Sequence, residues 1–334
     1  MAITEPELLR IPVKGSGKES ASRAAADAAQ RRREYLKKGG VILTPSDVTG
    51  DYDIARLLTT TLGGGIERTL THDDLALFRR NAKRVQKRYR EGITAKQIID
   101  NSRLIDRDRA TKQIRTATPV HARAGVVRII TNAGPDSVDT HHYCHIHLLG
   151  YSAALTAPES AQKITEWLLK QPMKIECDCG RWRFWYRYIA TIGGYNAGRD
   201  ETGFPKIRNP DLAGVACKHL IRVAAELQRG AAIRLFIERM IKAARSEDKN
   251  RQILQVKQAE ADAIERQQLI DGPADVRAGA LTQVGDFMAR QRTALSDALA
   301  RASRPKRRAA ATARASKNGS DRSAWSRIFG LFSR

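Results

Sequence analysis

Long apolar runs are missing from this chain of 334 residues, and without a stretch of about 18 such residues a membrane-spanning helix is excluded. The opening, Met1-Ala-Ile-Thr-Glu-Pro-Glu-Leu-Leu-Arg, has no apolar segment of the kind that leads a secreted protein. A reducing compartment is therefore expected. Aromatic residues are scarce at 6%, although a hydrophobic content of 42% is enough for a core. Catalytic signatures are absent too: there is no Gly-x-Ser-x-Gly elbow, no Walker loop and no His-Glu-x-x-His, and the scattered carboxylates form no recognisable acid/base pair. Neither an enzyme nor a small-molecule substrate is expected. Acidic residues are outnumbered, 36 against 59 Lys and Arg, for a formal net charge of +23. Such an excess attracts polyanions, DNA being the commonest, through contacts that weaken with salt.

Cysteine is rare as well, but it is concentrated. Three of the four cysteines belong to two pairs, Cys177-x-Cys179 and Cys217-x-His219. Met173 to Cys179 alternates apolar with charged residues, which predicts a half-buried strand carrying both thiols on one face, with Glu176 and Asp178 on the other. Cys217-Lys218-His219 opens a run to Leu227 with apolar residues at helical spacing, so the second pair sits at a helix start. Three thiolates and an imidazole suit tetrahedral Zn2+ in a closed structural site. The alternative is ordinary buried cysteines beside a helix-start histidine; clustered cysteines in a reducing compartment point to metal rather than to a disulfide.

The order C-x-C then C-x-H resembles the SWIM-type zinc finger, a small strand-strand-helix module associated with binding DNA or protein. The resemblance covers roughly residues 173 to 228; here 37 residues separate Cys179 from Cys217, and they include a hydrophobic, glycine-rich insert. The wider context is similar to tailed-phage virion proteins. The segments that carry this likeness are Gly92-Ile-Thr-Ala-Lys-Gln-Ile-Ile99, Ile105 to Ala110 through Gln113-Ile114, Gly125 to Thr131, Cys179-Gly-Arg-Trp-Arg-Phe-Trp-Tyr186, and Phe204-Pro-Lys-Ile-Arg-Asn-Pro210 leading into Cys217-Lys-His-Leu220. They occur in that order over about residues 90 to 230. The resemblance implies a structural protein of the particle, in the virion and beforehand in the host cytoplasm. It would be a homo-oligomer or multi-copy assembly that contacts other virion proteins and possibly DNA. A different function is an intracellular DNA-binding regulator built on a SWIM-type finger and a basic tail.

An α+β fold follows from the pattern: a central zinc-finger-like hairpin, strand and helix, flanked by helical regions with extended basic ends. Five segments are expected. Residues 1–40 form an arm, extended to about residue 19, then a polar, Ala- and Arg-rich helix suited to an exposed or partner-bound position. Residues 41–120 are helical. Thr71 caps a helix that reaches about Tyr89, with Leu75, Phe78, Val85 and Tyr89 as its apolar stripe and a basic opposite face able to track phosphates. Shorter helices follow near Thr94–Asn101 and Asp106–Thr116.

Residues 121–230 hold the α+β metal domain. Gly125–Thr131 and Thr140–Tyr151 form a hairpin, and a helix at Gln162–Lys170 precedes the cysteine strand. Alternation places His141, His145 and His147 on one face and His142, Cys144 and Ile146 on the other, and no fourth ligand completes a second metal site from the first set. Trp182, Phe184, Trp185, Tyr186 and Tyr188, interleaved with arginines, serve either as the module's core or as base-stacking rings over a basic groove. Residues 231–300 form long helices, one of them from Arg251 to Leu269. Residues 301–334 are a basic tail with ten Lys/Arg against Asp321 alone. Its polyanion-binding candidates are Arg304, Lys306, Arg307, Arg308 and Arg314. The final Trp325, Ile328, Phe329, Leu331 and Phe332 suit a partner groove, since so short a cationic stretch gives no stable membrane anchor.

Overall fold

The computed structural model describes residues 12–36, 42–51, 58–62, 66–89, 91–246, 253–272 and 276–279. The basic tail, its five candidate residues and the expected helix over Leu281–Leu299 lie outside the described residues. The fold is α+β.

Its centre is a five-stranded antiparallel sheet in the order β6-β5-β4-β3-β7, formed by β3 (Ala117–Arg123), β4 (Val126–Asn132), β5 (His141–Leu148), β6 (Met173–Cys177) and β7 (Ile253–Gln255). The expected β4–β5 hairpin is present, with Ile129 opposite Cys144. A second, tighter hairpin joins β3 to β4. Its two-residue loop has Ala124 at φ 47° and Gly125 at φ 80°, the paired positive φ values that match the twist of the flanking strands. Gly125 is needed on steric grounds too, because a Cβ there would lie 2.8 Å from the Tyr151 ring.

Helix α8 (Lys218–Arg229) packs against β3, β4, β5 and β6. It is so deeply enclosed that His219 through Ala225 are all buried. Helices α3 (Ala95–Asn101) and α4 (Leu104–Gln113) pack on α8 in turn, making a sheet–helix–helix stack. Helix α9 (Ala231–Arg245) packs on β3 and on α6 (Ala161–Leu168), with α5 (Tyr151–Thr156) beside both. Helix α2 (His72–Arg88) starts as expected: Thr71 and Asp74 form a reciprocal capping box, and Leu75, Phe78, Val85 and Tyr89 are buried. Two short strands, β1 (Thr59–Thr60) and β2 (Arg68–Thr69), pair with each other ahead of it.

Several expectations need correction. The arm is not extended to residue 19: α1 (Ser16–Leu36) begins earlier, and Val13 joins the core. Helix α1 is largely exposed, as expected, but it is also tied to the rest of the chain. Glu19 accepts from the Tyr143 hydroxyl, Arg23 pairs with Asp178 at 2.6 Å, and Asp27 accepts from Arg187, so these three residues fasten the helix to the chain's own sheet and aromatic segment. The single helix expected over Arg251–Leu269 is instead β7 followed by α10 (Gln258–Asp271). Gln268 of α10 brackets the start of β3, accepting from Ala117 N at 2.8 Å and donating to Ala117 O at 3.1 Å. The sheet thus recruits β3 from residue 117 and β7 from residue 253, on either side of the expected 121–230 segment.

Candidate metal centre

The four expected ligands converge. Cys177 ends β6, where strand pairing with β5 closes, and Cys179 follows two residues later. Cys217 is the N-cap of α8 and His219 stands in its first turn. One potential ligand atom from each of the four residues can be chosen so that all lie within 4.8 Å of one another. The His219 Nδ1 is 3.8 Å from Cys177 Sγ and 4.0 Å from Cys217 Sγ. A tetrahedral zinc with Zn–S of about 2.3 Å and Zn–N of about 2.0 Å has edges of roughly 3.5–3.8 Å, so the observed separations are close to those of a coordination tetrahedron.

Burial decides what the cluster can do. Relative exposure is 0% for Cys177, 4% for Cys179, 0% for Cys217 and 2% for His219. Burial, the largest influence, pushes the Cys177 and Cys217 thiols well above their ordinary range. Burial opposes ionisation of Cys179 as well, but hydrogen bonds from Cys177 and Cys217 outweigh it and hold this thiol well below the usual value. Three neighbouring thiols therefore do not all ionise unaided, and a divalent cation bound there would supply the compensating charge. Further support for thiolate comes from the Trp182 backbone N–H, which donates to Cys179 Sγ at 3.3 Å. With Nδ1 facing the sulfurs, His219 Nε2 is buried without a hydrogen-bond partner among the described residues.

The surroundings include residues that the C-x-C and C-x-H spacing did not reveal. Cys144 is the cross-strand partner of Cys177 and is fully enclosed; burial raises its thiol, which hydrogen-bonds to Cys177. His142, two residues away on the same face, packs its ring against that of His219, with centroids 4.4 Å apart and the planes tilted by 47°. Its Nδ1–H donates to Asp178 Oδ1 at 2.9 Å. Burial disfavours the charged His142 ring, but the Asp178 carboxylate prevails and the pKa is raised. Asp178 thus reaches around the end of β6 to the metal-facing side, where alternation had placed it away. Glu176 does point away, towards His145 and Arg187 at 3.9 Å each. The three histidines that share the other face do not converge on a site: His141 bonds to Tyr143 and Glu19, and His145 accepts from Arg128 Nε at 3.1 Å.

The aromatic segment belongs to the core in part. A wide helical turn, Trp182–Tyr186, leads into α7 (Arg187–Ile192). Trp182 and Tyr186 are buried core residues, whereas Phe184 is 44% exposed and Trp185 lies under the Arg181 guanidinium at 3.5 Å. Asp106 anchors the segment, accepting from Arg181 Nε and Nη2 at 3.0 Å each and from the Tyr186 hydroxyl.

No described helix is long and apolar enough to cross a membrane. The chain matches no protein-family model, no curated protein and no solved structure.

Proposed function

We propose that this protein is a non-enzymatic structural component of a tailed-phage virion whose body is organised by one zinc ion. The observation that carries the reading is the closed, buried Cys177–Cys179–Cys217–His219 set, which joins the edge strand β6 to the start of α8. Four protein ligands fill a tetrahedral zinc and leave no position for a reacting water, so the metal's contribution is to fold and rigidity. The order of motifs over residues 90–230 supplies the particle context, and the cationic composition suits a protein that works beside packaged DNA and other virion proteins.

Mass spectrometry of purified particles, with the host lysate as reference, tests the reading. Several copies of the chain per particle are expected. Absence from particles, together with sequence-selective binding of the free protein to duplex DNA, would favour the intracellular regulator instead.

A further inference from the structure

The outward face of α2 carries six exposed cations, Arg79, Arg80, Lys83, Arg84, Lys87 and Arg88, with no acidic residue between the first and the last. At about 100° per residue they cover a half-circle opposite the buried Leu75–Phe78–Val85 stripe, and at about 1.5 Å per residue they extend over roughly 13 Å. Among the described residues none of the six pairs with a carboxylate. Arg79 donates to Thr49 O and Arg84 to Asp211 O, both at 3.1 Å, and Arg88 donates to Asn101 Oδ1. These bonds aim three guanidinium groups while leaving their charge uncompensated.

We infer that this face binds duplex DNA through its phosphates, giving the folded body a nucleic-acid site separate from the basic tail. Charge complementarity selects a polyanion. The shape of the face narrows the choice: a single helix with cations along both flanks fits the B-form major groove, about 12 Å wide, and meets phosphates on both strands. The deep, narrow groove of A-form RNA does not admit it. An anionic membrane calls for large apolar side chains beside the cations, and a protein partner for aromatic or aliphatic anchors. From Arg79 to Arg88 the exposed residues are the six cations and Gln86.

The test uses the full-length protein and a fluorescent mixed-sequence DNA duplex, with binding followed by anisotropy across a salt series. Arg80, Lys83 and Lys87 make no described contact, so the triple variant R80Q/K83Q/K87Q should melt like the wild type. Each lost phosphate contact removes about 0.9 from the slope of log affinity against log salt. The variant should therefore lose about 2–3 in slope and roughly 100-fold in affinity near 0.1 M salt. The charge-conserving variant R80K/K83R/K87R should bind as the wild type does, and deletion of residues 301–334 should leave a salt-dependent remainder whose slope the triple variant lowers by about the same 2–3. An unchanged slope in the triple variant would overturn the inference. So would tighter binding to polyglutamate, or to phosphatidylserine vesicles, than to duplex. The inference does not depend on the virion reading: failure to find the chain in particles leaves this experiment's outcome intact.

Discussion

Replacing Cys177 by serine removes one of the four candidate ligands at a position with no solvent exposure. Structural zinc contributes about 10–16 kcal/mol in zinc-finger peptides, so one ligand's share is about 2.5–4 kcal/mol. The serine hydroxyl, wedged between Cys144 and the remaining ligands, adds about 1–3 kcal/mol if it lacks a partner. Together about 3.5–7 kcal/mol is at stake, comparable with the whole stability of many domains. In a body of this size that corresponds to a fall of roughly 10–25 °C in Tm. Metal affinity should drop by about two orders of magnitude or more. Calorimetry of wild type and C177S, each with and without a strong chelator, measures both quantities. The chelator should lower the wild-type Tm by at least as much as C177S does, and should lower the variant's Tm by less, because the variant holds the metal more weakly. A variant that melts within 2 °C of the untreated wild type, or a chelator effect of equal size on both proteins, would refute the role of metal in holding β6 to α8.

Three further outcomes follow from the packing. D106N replaces the carboxylate shared by Arg181 and Tyr186 with a neutral amide that keeps only one acceptor oxygen, at a site 1% exposed, and should cost about 3–5 kcal/mol in urea unfolding; a loss below about 1 kcal/mol would show that the Asp106 charge is dispensable. Burial, with Arg128 adding to it, lowers the His145 pKa to about 4, against about 6.5 for an unfolded chain. The folded state therefore binds fewer protons than the unfolded one. This contribution to stability is complete above about pH 6.5 and fades as pH falls towards 4, with about 2 kcal/mol gone by pH 5. H145Q, which retains an acceptor for Arg128, should lose correspondingly less stability than wild type between pH 7.5 and pH 5, and identical pH profiles would contradict the shift. G125A forces a side chain into φ 80° and against the Tyr151 ring, and should lower stability by at least about 1–2 kcal/mol; an unchanged melting curve would show that the turn can re-form.

What was legible in the sequence was local. The Thr71–Asp74 capping box, the α2 stripe and the β4–β5 hairpin are each written within about twenty residues. The metal ligands could be read because two short pairs announce themselves by spacing alone, and because strand alternation and a helix start fix where their side chains go. What required the fold was register. Alternation had put His142 and Cys144 on one face of their strand and Cys177 and Cys179 on one face of theirs. Only the pairing of Cys144 with Cys177 shows these to be the same face. Strand β7 has three residues and is held by its pairing with β3, so no period could reveal it. The aromatic segment is divided between core and surface because the wide turn places Trp182 and Tyr186 inward and leaves Phe184 outside, a split that neither helical nor strand spacing alone dictates.

The most direct test of the central claim is X-ray absorption at the zinc edge of the protein purified without added metal. One zinc per chain, bound by three sulfurs at about 2.3 Å and one nitrogen at about 2.0 Å, is the predicted result. A metal-free protein, or a four-sulfur shell with Cys144 in place of His219, would contradict the assigned centre.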